Sequence, residues 1–280
     1  MASSTASSTA GTRIRRVLLP TAGVVALVLA GGYLLLAISR LTGLPADGWR
    51  GLAIGDLIAF LPPLIVLVLW LRFREGRGIA DLGFRVPRPA VGVLVGALTA
   101  IVLFAALQVL VAVLAPPAGG GPDAGPDPVS PGLLVVLVLL VTVAVQASTE
   151  EILFRGYLMQ AVRRDLGSYG AVLFSAVVFG LCHSLNPGVT VAYVVSTGAL
   201  GLLLGFLALG RGGLWVSCAF HTVWNLIPAV VAAGSEPDAG DGGSGSAAAR
   251  VTAGVLLAFA VGAGVLHHRR SRRAAAAGAA

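Results

Sequence analysis

The sequence predicts an all-α fold, a polytopic transmembrane helix bundle of about eight spans, and three observations predict it. Only 11% of the 280 residues are charged and 57% are hydrophobic, with a mean hydropathy of +0.93; a soluble domain carries about 25% charged residues. Apolar runs of roughly 20 residues, the length that crosses a bilayer as a helix, recur along the whole chain. The arginines gather in alternate loops, as they do when the cytoplasmic side of a membrane protein retains positive charge.

The elements follow in order. Residues 1–16 begin with Ser, Thr, Ala and Gly and close on Arg13, Arg15 and Arg16; they read as a disordered cytoplasmic tail. The apolar run 17–39 exceeds the h-region of a signal peptide, about 7–15 residues, and reads as an uncleaved span. Spans over 51–71 and 89–115 complete an N-terminal transmembrane region, 17–115, with Pro62 and Pro63 expected to kink the second helix. Spans over 132–154, 168–185, 188–209 and 212–233 form a core domain, 130–233. A last span, 250–267, leads into a basic cytoplasmic tail ending at 280. The loops 116–131 and 234–248 are rich in Gly, Pro and Ser and read as flexible.

Orientation follows from the basic residues, which are all arginine. Arg13, Arg15 and Arg16, then Arg72, Arg74, Arg77, Arg85 and Arg88, then Arg163, Arg164, Arg211 and Arg269 to Arg273 fall on one side of an eight-span alternation. Only Arg40, Arg50 and Arg250 fall on the other, with Asp47, Asp123, Asp127, Glu236, Asp238 and Asp241. The expectation is a multi-pass cell-membrane protein with both termini cytoplasmic. The net charge of +7 is thus a topological signal, and no nucleic-acid partner is expected. Cys182 and Cys218 are too few and too far apart for a disulfide framework or a zinc motif.

Three apolar segments carry polar groups that hydrocarbon does not tolerate unpaired. Glu150 and Glu151 precede Ile152-Leu153-Phe154-Arg155; His183 follows Phe179 by four; His221 precedes Asn225 by four. Glu151 and Arg155 share a helix face and can pair. Glu150 is turned about 100° away, so the same arginine does not neutralise it. One carboxylate is structural support and the other is available for chemistry. A carboxylate and an imidazole can deprotonate a water, and an imidazole with an amide N–H can stabilise an oxyanion. Alternatively, Glu150, His183 and His221 make a His₂Glu zinc set with one open position. The sequence supports a zinc mechanism and a metal-independent one alike.

Other polar or small residues read as bystanders. Asp56 lies near one end of its span, within reach of the interface. Gly92 with Gly96, and Gly201 with Gly205, fit close helix packing within the bundle. His267 and His268 read as an interfacial anchor.

The motifs Glu-Glu-x-x-x-Arg, Phe-x-x-x-His and His-x-x-x-Asn, in this order on membrane helices, resemble those of the CAAX protease and bacteriocin-processing family (CPBP, or Abi), which includes the Ras-converting CAAX endopeptidase. The resemblance spans about 130–230 and implies an intramembrane endopeptidase acting on a membrane-associated peptide or protein. It implies Glu150 as the catalytic glutamate, His183 as the water-activating or metal-binding histidine, and His221 with Asn225 on the oxyanion side. Some relatives are scaffolds, and buried acids and histidines also serve transporters; those are the alternative readings. The catalytic cavity is expected to open toward the cytoplasm. Substrate and oligomeric state are not encoded legibly.

Overall fold

The computed structural model describes residues 2–44, 48–114, 130–186, 189–234 and 246–277, and among them every regular element is helical. The helices are α1 (Ala2–Thr42), α2 (Gly48–Trp70), α3 (Pro89–Leu114), α4 (Leu133–Glu151), α5 (Met159–His183), α6 (Val191–Ala208), α7 (Gly213–Ala233) and α8 (Ser246–Ala277). A π-helical segment, Ile152–Leu158, joins α4 to α5. The backbone of α1 is helical from Ala2, through the stretch the sequence reads as a tail; no proline interrupts it before Pro20. Most of the loops expected to be flexible, 116–131 and 234–248, lies outside the described residues.

Among the described residues seven helical stretches are long and apolar enough to cross a membrane, so this is a multi-pass membrane protein. One of them, Leu133–His183, is 51 residues long, far beyond the roughly 20 that span a bilayer. It is a hairpin. Gly167 has φ 70° and ψ 175°, a backbone state open to glycine but strained for a residue with a Cβ. The chain then returns along itself: Ser175 Oγ donates to the Phe154 carbonyl at 2.9 Å, and the Phe154 and Phe179 rings lie 5.0 Å apart edge to face. In a continuous helix residues 21 apart would be separated by roughly 30 Å. The fourth and fifth expected spans are therefore the two limbs of this hairpin, and the estimate of about eight spans stands.

Helix α4 packs against α2 and α7, α5 and α8 pack against α6, and α3 lies on α7. Small residues set these approaches. A Cβ on Gly92 would lie 3.1 Å from Trp215 Cβ, and one on Gly205 would lie 2.8 Å from Val172 Cγ1. Gly92 and Gly96 thus seat α3 on α7, and Gly201 and Gly205 seat α6 on α5, as expected of small residues in membrane helices. Pro62 and Pro63 lie inside α2. Pro63 has no N–H for the Ala59 carbonyl, and a Cβ on Gly31 of α1 would collide with that oxygen. The glycine admits α1 where the proline has freed a polar backbone group. His267 and His268 pack their rings on Tyr169 of α5.

Candidate functional site

The site grows from one turn of α4 and the π segment after it. Arg155 Nη1 donates to Glu151 Oε1 at 2.8 Å, and both side chains are wholly buried. Arg155 Nη2 donates to the Gly201 carbonyl of α6 at 3.2 Å. The guanidinium also lies over the Phe179 ring, with Cζ 4.2 Å from its centroid, so a desolvated cation meets a carboxylate, a carbonyl and a π face. A π turn widens the helix by one residue and is often found at functional positions. Here it begins at Ile152, directly after the two glutamates.

His221 of α7 joins the two carboxylates. Its Nδ1 lies 3.0 Å from Glu151 Oε1 and its Nε2 lies 3.5 Å from Glu150 Oε2. A carboxylate paired with Arg155 can only accept, so His221 Nδ1 carries the proton. That leaves Nε2 as the atom that can exchange a proton with Glu150. One turn further along, Asn225 Nδ2 donates to Gln146 Oε1 at 3.0 Å. Helices α4 and α7 are antiparallel here: His221 meets Glu150, and Asn225 meets the residue four positions earlier.

His183 ends α5. Its Nδ1 lies 2.8 Å from the Phe179 carbonyl. A carbonyl only accepts, so Nδ1 carries the hydrogen and, in the neutral ring, Nε2 is a bare acceptor. The His183 ring packs 4.5 Å from the Phe179 ring, and the His221 ring lies 6.0 Å from it. Phe179 therefore spaces Arg155, His183 and His221 around one buried ring.

Glu150, His183 and Asn225 line a single cavity of about 980 Å³ with Gln146, Asp56 and Tyr193. Glu150 Oε2 is buried without a hydrogen-bond partner. His221 is 2% exposed and sits behind Glu150, outside the cavity lining. The structure thus brings Glu150, Glu151, Arg155 and His221 into one connected cluster. His183 and Asn225 reach it through the cavity.

Two expectations change, and one further residue joins the site. Asp56 does not reach an interface: it is 8% exposed and faces the cavity that holds Glu150. Gln146 was not anticipated, although its place four residues before Glu150 puts it on the same helix face. The cavity is not at the arginine-rich end of the bundle. Its lining comes from the later half of α1 (Tyr33, Leu36), the first half of α2 (Leu52, Asp56), the end of α5 and the later half of α7 (Asn225, Pro228). Each of these is the helix end away from the arginine clusters.

The His₂Glu zinc set does not assemble. Among the described residues no three His, Cys, Asp or Glu side chains converge to hold an ion. His221 engages Glu150 through the one nitrogen that could ligate, because its other nitrogen is committed to Glu151.

No curated protein matches the chain. Residues 132–227 match the family described as type II CAAX prenyl endopeptidase, Rce1-like. That stretch holds Glu150, Glu151, Arg155, His183, His221 and Asn225, and the family is one of intramembrane CAAX-type endopeptidases. Over residues 132–227 this membrane protein is similar to the Rce1-like type II CAAX prenyl endopeptidase family.

Proposed function

We propose that the protein is an intramembrane endopeptidase hydrolysing a peptide bond of a membrane-associated polypeptide, with Glu150 as the base. The observation that carries this reading is the convergence of Glu150, His183 and Asn225, from three helices, on one cavity. Glu150 lines the cavity with one oxygen, Oε2, turned toward His221 Nε2, and His183 presents a bare ring nitrogen. A water between them donates one hydrogen bond to each. Glu150 takes its proton as the oxygen attacks the substrate carbonyl carbon. Asn225 Nδ2 turns from Gln146 toward the oxyanion. The tetrahedral intermediate collapses, the C–N bond breaks, and Glu150 returns the proton to the leaving amine. His221 is a positioning residue in this scheme: its Nδ1 is held by Glu151 and its Nε2 packs beside Glu150.

The test uses purified protein in bilayers with membrane-anchored peptides. Glu150→Gln keeps the shape and removes the base, so cleavage should fall by at least about 10², the lower end of general-base contributions. Its melting temperature should stay near that of the wild type. Undiminished cleavage by the variant overturns the reading. Wild-type activity that is lost to chelation and restored by zinc would keep the protease reading and replace the metal-free chemistry.

A further inference from the structure

The position of the cavity along the bundle axis has a consequence for substrate presentation. Glu150 precedes Arg164 by 14 residues on one helical limb, which is roughly 20 Å of rise at 1.5 Å per residue. The hydrocarbon core is about 30 Å thick. With Arg163 and Arg164 at one surface, Glu150 lies about two-thirds of the way across, some 10 Å from the other surface. The neighbouring residues agree. His183 is the last residue of α5, and the exposed residues Leu185 and Asn186, both on the cavity wall, follow within three positions. Tyr33 and Leu185 on the rim are 67% and 60% exposed.

The other end of the same helices carries the charge. Arg163 and Arg164 flank the hairpin turn at Gly167, Arg211 lies between α6 and α7, and Arg72 to Arg88 follow α2. Arg269 to Arg273 end α8 at that level, next to Tyr169 of α5, whose ring contacts His267 and His268. A surplus of arginine in short loops marks the cytoplasmic side.

We infer that the cavity opens on the arginine-poor, non-cytoplasmic side. The substrate it takes is then a membrane polypeptide whose scissile bond enters the non-cytoplasmic part of the bilayer, at the depth of Glu150. A cytosolic lipidated tail would have to cross about 20 Å of packed helix to reach Glu150. The α1 wall of the cavity is apolar, through Val28, Leu29 and Leu36, and the opposite wall carries Gln146, Glu150 and Asn225. Such a cleft suits a segment leaving the bilayer, one side facing lipid and its backbone facing the polar groups. The substrate claim rests on the protease reading above; the direction of opening does not.

Two measurements separate them. In a background with Cys182→Ala and Cys218→Ala, Asn186→Cys reports the cavity rim and Ser271→Cys reports the basic tail. A membrane-impermeant maleimide applied to intact cells should label Asn186→Cys, and Ser271→Cys only after permeabilisation. The reverse pattern overturns the inference whatever the activity. Wild-type protein is then given single-span reporters with the same apolar juxtamembrane segment placed on either side. Cleavage confined to the non-cytoplasmic segment is expected. Cleavage confined to the cytoplasmic segment overturns the inference but keeps the protease; cleavage of neither reporter, with labelling as expected, overturns the protease reading and the substrate claim together.

Discussion

Glu151 Oε1 is shared by Arg155 and His221, at 2.8 and 3.0 Å, in a place where neither Glu151 nor Arg155 touches solvent. One carboxylate oxygen thus ties α4 and the π segment to α7, while the other arm of the arginine reaches Gly201 on α6. Breaking such a buried pair leaves a bare charge, which costs about 3–5 kcal/mol. Arg155→Ala should therefore lower the melting temperature in detergent and reduce cleavage, because His221 and Glu150 lose their anchor. Arg155→Lys should recover only part of both, since an ammonium lacks the fork that spans Glu151 and Gly201. Unchanged melting of Arg155→Ala would mean that the pair has no structural role.

Gly201 tests the same junction from the other side. A Cβ there would lie 3.1 Å from Ala176 Cα and 3.2 Å from Arg155 Nη2. Gly201→Val adds more bulk than this contact can absorb and should destabilise by about 1–3 kcal/mol, as overpacking does. Thermal denaturation in detergent measures it. Gly254→Val, where a Cβ meets nothing within 4 Å, is the control expected to leave melting unchanged.

Asn225 and Gln146 are expected to act as a unit. Asn225→Ala should slow turnover by about 10²–10³, the usual cost of an oxyanion donor. Gln146→Ala, which only frees Asn225 from its resting partner, should cost less. The double variant should be no slower than Asn225→Ala, because contacting residues are not additive. Single-turnover rates on a membrane-anchored peptide give all three numbers. Additive losses would assign Gln146 a separate role at the reacting bond.

Asp56 faces the cavity, with no hydrogen bond or ion pair to it among the described residues. An unpaired carboxylate at membrane depth costs stability, and proteins retain such groups where function uses them. Asp56→Asn should keep or raise the melting temperature and lower cleavage. A drop in melting temperature with unchanged cleavage would identify Asp56 as a structural residue.

The sequence by itself determined the fold class, the site's inventory and much of its local geometry. Hydropathy runs mark the helices because a bilayer demands long apolar segments whose backbone bonds close internally. The spacings of four in Glu151 and Arg155, Phe179 and His183, and His221 and Asn225 put each pair on one helix face, since 3.6 residues make a turn. The 100° step between Glu150 and Glu151 separates the buried carboxylate from the one in the cavity. Only the tertiary structure decided which faces meet across helices. It set His221 between the two glutamates and behind the cavity, paired Asn225 with Gln146, and brought Asp56 from α2 into the site. It also decided the depth of the site. A hydropathy run ending near Glu151 suggests a glutamate at the membrane edge, but the helix continues through its π segment to the turn at Gly167. That extra length carries the arginines to one surface and leaves Glu150 near the other, because helix rise, not the end of an apolar run, fixes a residue's distance from the interface.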